Sequence, residues 1–179
     1  MNALKIGEKA PDFQDLLGTD GKRYSLDSFT NVPTLVLIVS CNHCPYVQAY
    51  EDRMIAIQRD FMDRGVGLVA VNSNYDKDYP DDNYENMVKR AREKGFNFPY
   101  IRDEDQTLAR ALSAVCTPET FIFGRERRLV YHGRIDDNKD QSKVTTHDLR
   151  NALDAITAGT KPLVAETRQF GCSVKWRRD

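Results

Sequence analysis

An α/β domain with a mixed central sheet and helices on both faces follows from three stretches of the sequence. Thr34-Leu-Val-Leu-Ile-Val-Ser40 is an unbroken apolar run of the kind that forms a strand buried on both faces. A helical stripe follows at Val47, Tyr50, Met54, Ile57 and Phe61, and then a second apolar run, Gly67-Leu-Val-Ala-Val-Asn72. Strand, helix and strand within about 40 residues make a βαβ unit with parallel strands. The third stretch pairs Glu119-Thr-Phe-Ile-Phe123 with Arg128-Leu-Val-Tyr-His-Gly133 across a turn, which predicts an antiparallel hairpin.

The remaining elements fall around these. Residues 6–30 carry Gly7, Pro11 and the turn Gly18-Thr-Asp-Gly21-Lys, which predict short strands or an edge hairpin. Pro45 suits the first turn of a helix, and Gly65 suits its left-handed cap. Residues 74–83, rich in Asp, Tyr and Pro, read as a solvated loop, since no calcium-loop spacing is present. Asp82 and Glu85 have the spacing of a capping box for a helix that ends at Gly95. Phe98-Pro-Tyr-Ile101 predicts a short strand and Asp105 to Ala114 a short helix. A last helix is expected after Thr145 or Thr146, with Gly159 as its stop. The tail, 160–179, has weak periodicity. No repeat or linker interrupts the chain, so one domain over 1–179 is expected.

Composition narrows the function. Of the 179 residues, 40% are hydrophobic and 30% charged, with a net charge of −1. That balance argues against nucleic acid or an anionic membrane as the main partner. No apolar run approaches the ~20 residues that span a bilayer. Met1-Asn-Ala-Leu-Lys-Ile-Gly-Glu8 lacks an apolar leader core, so a cytoplasmic setting is expected.

The four cysteines, Cys41, Cys44, Cys116 and Cys172, are too few for a disulfide scaffold. Cys41 and Cys44 flank Asn42-His43 at the point where a strand ends and a helix begins. Partial positive charge collects there and favours thiolate over thiol. Cys41 is expected to be the more exposed and Cys44 the more shielded, inside the first turn. His43, if protonated, would stabilise a neighbouring thiolate. Zinc is the competing chemistry: the four cysteines with His43, His132 or His147 could supply four ligands, though no second Cys-x-x-Cys or His-x₃-His knuckle is present. His132 on a strand reads as structural.

Val115-Cys116-Thr117-Pro118 opens the hairpin's first strand. A proline at the entrance to a central strand cannot donate to the ladder. By itself it could be an ordinary trans proline or a cis one that leaves Thr117 free to pair with a substrate strand.

Cys-x-x-Cys-Pro at a βα junction, with Thr-Pro opening a hairpin about 75 residues later, resembles the thioredoxin fold. Ile6-Gly-Glu-Lys-Ala-Pro-Asp-Phe13 and Asp20-Gly-Lys-Arg-Tyr-Ser-Leu26 resemble the start of the redoxin branch, the alkyl hydroperoxide reductase and thiol-specific antioxidant (peroxiredoxin-like) superfamily. Gly133-Arg-Ile-Asp-Asp-Asn138 and Gly171-Cys-Ser-Val-Lys-Trp176 resemble a bacterial thioredoxin-like subgroup of it. The resemblance implies a three-layer α/β/α thioredoxin fold with an N-terminal extension and a C-terminal tail. It implies that Cys41 is the attacking thiol, Cys44 the resolving thiol and Pro118 the cis-proline facing them, with Thr117 and Cys116 beside the pair. The implied activity is thiol–disulfide oxidoreduction with an antioxidant role. Its partners would be a protein or small-molecule disulfide or a peroxide, and an upstream dithiol reductant. No organic cofactor is implied.

Two departures matter. Ser40 stands where thioredoxins have Trp. Peroxiredoxins carry Pro-x-x-x-Thr-x-x-Cys; here Cys41 takes the Thr position, Cys44 the peroxidatic one, and Leu37 stands in place of the proline. Candidates for a peroxidase arginine are Arg102, Arg110, Arg125, Arg127 and Arg134. A thiol peroxidase and a copper or zinc delivery protein remain as alternatives. Cys116 is read as a buried small hydrophobe or a third redox thiol, and Cys172 as a docking anchor or a second resolving cysteine.

Overall fold

The computed structural model describes residues 4–178. Met1 to Ala3, part of the stretch read for a leader, and Asp179 at the end of the tail lie outside them.

Among the described residues, nine strands and four α-helices follow in chain order. They are β1 (Leu16–Gly18), β2 (Arg23–Tyr24), β3 (Thr34–Ser40), α1 (Pro45–Phe61), β4 (Val66–Asn72), α2 (Tyr84–Lys94) and β5 (Tyr100–Arg102). After these come α3 (Thr107–Leu112), β6 (Cys116–Thr117), β7 (Glu119–Phe123), β8 (Leu129–Gly133), α4 (Asp148–Thr157) and β9 (Cys172–Ser173). The main sheet has the order β2-β1-β5-β4-β3-β7-β8. β3 and β4 are parallel through all seven residues, and β4 is parallel to β5. β7 lies antiparallel to β3 and β8. The sheet is therefore mixed, and the N-terminal hairpin β1–β2 extends its edge beyond β5.

Every residue of β3 is buried, and alternation sorts its side chains onto two cores. Val36 and Ile38 pack with Met54 and Ile57 of α1, Met87 of α2 and Leu153 of α4. Leu35, Leu37 and Val39 pack on the opposite face with Leu108 and Leu112 of α3 and with Phe13. The central strand is thus clamped from both sides, which fixes where its C-terminal end delivers Cys41. Leu37→Ala should cost ~2–5 kcal/mol, read as a lower urea midpoint at unchanged m-value.

Several expectations are corrected by packing. The helix over 45–64 is α helix only to Phe61; Met62–Arg64 tightens into a 3₁₀ turn before Gly65, whose φ of 78° is the left-handed cap. α2 is capped by Asn83, whose side chain accepts from the Asn86 amide. No Asp82–Glu85 capping box forms, because Asp82 turns inward. The loop over 74–83 is not uniformly solvated: Asn74 and Asp82 are fully buried. α3 is shorter than the 105–114 expected, and α4 follows His147 rather than a threonine cap. The weakly periodic tail docks back: β9 pairs antiparallel with β6 in a separate two-stranded sheet. Among the described residues, no helix is long and apolar enough to cross a membrane.

Candidate active site

β3 ends at Ser40, and Cys41, Asn42, His43 and Cys44 form the turn into α1. Cys44 is the N-cap residue and Pro45 the first helical one. Both cysteines therefore precede the helix, and neither is exposed: Cys41 is 2% accessible and Cys44 fully buried. The expected contrast in exposure is absent.

The Thr117–Pro118 peptide bond is cis, and Thr117 faces the pair. Its hydroxyl lies 3.4 Å from Cys41 Sγ, and its carbonyl oxygen 3.3 Å from Cys44 Sγ. Glu119, fully buried, holds this turn in place. Its Oε2 accepts from the Val115 and Cys116 amides at 2.7 and 3.1 Å. Its Oε1 lies 2.7 Å from His132 Nε2, and His132 also stacks on Phe121. His132 is a support of the Thr117–Pro118 turn.

The two thiols differ in charge preference. Cys44 is pulled down to about 4, first by the hydrogen bond from the Cys41 thiol. Burial opposes this, and the nearby Cys172 thiol, Val47 amide and Thr117 hydroxyl add to it. The Val47 amide is one of the orphan donors at the helix start, so the dipole argument made for this junction applies to Cys44. Cys41 is pushed up, chiefly because its thiol proton is committed to Cys44, then by burial and by the nearby Asp82 charge. The Thr117 carbonyl is the single acceptor among these contacts and favours a Cys44 thiol. The Cys41 thiol, the Cys172 thiol and the Val47 amide favour the opposite charge state, and together they draw Cys44 toward thiolate. Cys116 is pushed up to about 12 by burial and the Glu119 carboxylate, so it stays protonated.

Asp82 is the site residue that sequence reasoning placed in a solvent loop. Its Oδ1 accepts from the Asn42 amide at 2.6 Å and Asn72 Nδ2 at 3.3 Å. Its Oδ2 accepts from Asn74 Nδ2 at 2.9 Å and lies 2.5 Å from His43 Nδ1. Tyr100 joins the network, donating to Asn42 Oδ1 at 2.9 Å. His43 thus pairs with a carboxylate, and its ring stacks on Tyr79. A buried carboxylate collecting four donors orders the Cys-x-x-Cys turn from beneath. Its only sequence signal was the cluster of Asn and Asp residues on both sides of the β4 end.

A ring nitrogen of His43, a carboxylate oxygen of Asp82 and Cys41 Sγ lie within 4.8 Å of one another. These are the residues that could hold a metal ion. Both Asp82 oxygens are already engaged by donors, so an ion would have to displace them. Of the five arginines considered for a peroxide site, four are engaged elsewhere. Arg102 donates to the Asn74 and Asp82 carbonyls, Arg110 lies over Trp176, Arg127 donates to the Val32 carbonyl and Arg134 to Asp148.

A sheet of this order, with a Cys-x-x-Cys pair at the β3–α1 junction facing a cis-proline, defines a thioredoxin fold. The chain belongs to the Redoxin family, whose model matches residues 5–153. A hypothetical protein from Sinorhizobium meliloti 1021 is 34% identical, with 99% of this chain and 98% of that one covered and a TM-score of 0.93. An uncharacterized conserved protein from Geobacillus kaustophilus is 36% identical over 99% of this chain and 95% of that one, with a TM-score of 0.93. A putative thiol:disulfide interchange protein from Chlorobium tepidum shares the fold at 21% identity, over 73% and 85% of the two chains, with a TM-score of 0.63. No curated protein matches the sequence.

Proposed function

We propose that this protein is a thiol–disulfide oxidoreductase in which Cys41 and Cys44 cycle between dithiol and disulfide. The observation that carries the reading is the buried Cys41–Cys44 pair at the start of α1, faced by Thr117 ahead of the cis-proline, with Cys44 drawn down to about 4. The thiolate is the nucleophile of exchange, and the charge sits on Cys44. Cys44 therefore attacks a substrate disulfide, forms a mixed disulfide and expels one substrate thiolate. Cys41, giving its proton to that leaving thiolate, then attacks Cys44 Sγ, closes the Cys41–Cys44 bond and releases the second half of the substrate as a thiolate, which takes a proton from solvent. This reverses the order of roles implied by the resemblance to thioredoxins. An upstream dithiol returns the pair to its reduced form.

The test is reduction of an insulin-type disulfide with dithiothreitol as the electron source, alongside a thiol count. Wild type should accelerate the reaction and lose two thiols on mild oxidation. No acceleration and no thiol loss would defeat the proposal.

A thiol peroxidase with Cys44 as the peroxidatic residue is the second reading, favoured by the same thiolate and weakened by the engaged arginines. In stopped-flow with hydrogen peroxide, the oxidoreductase reading expects no fast phase; a fast phase lost in Cys44→Ser would establish the peroxidase instead. Metal delivery through Cys41, His43 and Asp82 is the third. Elemental analysis of protein purified without chelator should show no stoichiometric copper or zinc if thiol exchange is the function.

A further inference from the structure

The edge of β6 is the place where a substrate strand would pair with the residue before the cis-proline. In this chain it is already taken. β9 runs antiparallel along it, in the register Thr117 to Cys172 and Cys116 to Ser173. The approach is close enough that a Cβ at Gly171 would fall 2.1 Å from the Thr117 carbonyl oxygen, so only glycine permits it. Cys172 is thereby delivered to the active pair, where it packs against the cluster of Cys41, Cys44 and Val47.

The tail is anchored on both sides of Cys172. Before it, Phe170 meets Tyr46 of α1 edge-on at 5.9 Å. After it, the Val174 amide donates to the Val115 carbonyl at 3.2 Å, and the Lys175 amide to Asn74 Oδ1 at 2.8 Å. The Lys175 carbonyl accepts from the Tyr75 amide and Gln106 Nε2. These anchors use main-chain groups and buried amides, the mode in which an added strand binds a sheet edge. Cys172 itself remains partly exposed, within reach of solution reductants.

We propose that Cys172 is a third redox thiol, and that the tail presents it to Cys44 as an in-chain substrate strand. In the exchange, Cys172 Sγ attacks Cys44 Sγ of the oxidised pair. The Cys44–Cys172 bond forms, the Cys41–Cys44 bond breaks, and the proton lost by Cys172 goes to the departing Cys41. One disulfide replaces another, so no further oxidant is consumed. The product is covalently closed over β6, and an outside substrate strand enters only once that bond is reduced and the tail lifts. The inference rests on Cys41 and Cys44 being an exchange pair.

Oxidised glutathione added to full-length Cys41→Ser tests it. Cys44 would take up glutathione, and Cys172 would then displace it. The expected result is intramolecular loss of two thiols and a tryptic cross-link joining the Cys44 peptide to the Cys172 peptide. Retention of glutathione on Cys44, with Cys172 free, would overturn the proposal. Partial oxidation of wild type covers the case in which Cys41→Ser fails to fold. Cys44–Cys172 cross-links should then appear beside the Cys41–Cys44 form, and their absence would overturn it. Cys172→Ser separates the two ideas, since it should still form Cys41–Cys44. Failure there would remove the exchange pair itself and this inference with it.

Discussion

Cys44→Ser should bring disulfide turnover down to the uncatalysed rate and abolish the thiolate absorbance of the reduced protein at neutral pH. Cys41→Ser should also stop turnover, for a different reason: the mixed disulfide on Cys44 loses its partner. The two variants separate in a pH titration of thiolate absorbance. Wild type should lose its thiolate with a midpoint near 4, the value to which Cys44 is lowered. Cys41→Ser exchanges the thiol that leads this lowering for a hydroxyl, and the midpoint should rise toward the ordinary ~8.5 of a free cysteine.

Stability follows the same groups. Because the folded value of Cys44 lies below its unfolded one, the contribution is complete above ~8.5. It declines as pH falls and is gone below about 4. Cys41, raised by folding, acts in the opposite sense: its contribution is complete below its unfolded value and is lost as pH rises above it. Between pH 4 and 8 the Cys44 effect governs. Reduced wild type should gain stability with rising pH relative to reduced Cys44→Ser, as read from urea midpoints.

Asp82→Ala should be the most damaging change outside the cysteines. Four donors, from Asn42, His43, Asn72 and Asn74, converge on its carboxylate with no access to solvent. Leaving buried donors unpaired costs ~1–3 kcal/mol each. Partial relaxation should limit the total to about 3–5 kcal/mol, a large part of the ~5–15 kcal/mol that holds a typical domain together. Asp82→Asn keeps the shape but presents an amide nitrogen to a set of donors, so it should recover less than half of that loss. It also removes a charge that raises Cys41. A lower Cys41 titration midpoint in a folded Asp82→Asn protein would show that the carboxylate tunes the pair as well as bracing the turn.

Much of the architecture was legible because it rests on local patterns. The β3 run, the stripe from Val47 to Phe61 and the Gly65 cap each state their element within a few residues. The positions of Cys41, Cys44 and Pro118 were legible too, since a strand end, a helix start and a hairpin entrance are sequence features. What was hidden depends on contacts between distant segments. Asp82 looks like a loop carboxylate until Asn42, Asn72 and Asn74 are brought around it. The tail shows only weak periodicity because backbone pairing to β6 and the amides of Asn74 and Gln106 fix it, and no apolar stripe is needed for that. The buried state of the pair has the same origin: Thr117 faces it from about 75 residues further along the chain, and Cys172 packs against it from about 130.

A low-lying thiolate stabilises the reduced form and makes a disulfide more oxidising. The most direct test is an equilibrium titration of Cys172→Ser against glutathione buffers, with each sample trapped by acid and mapped by mass spectrometry. A single two-electron transition is expected, with Cys41 and Cys44 joined within one tryptic peptide and a potential nearer ~−120 mV than ~−270 mV. Two thiols that stay reduced across the range, or that yield only glutathione adducts, would contradict an exchange pair at the start of α1.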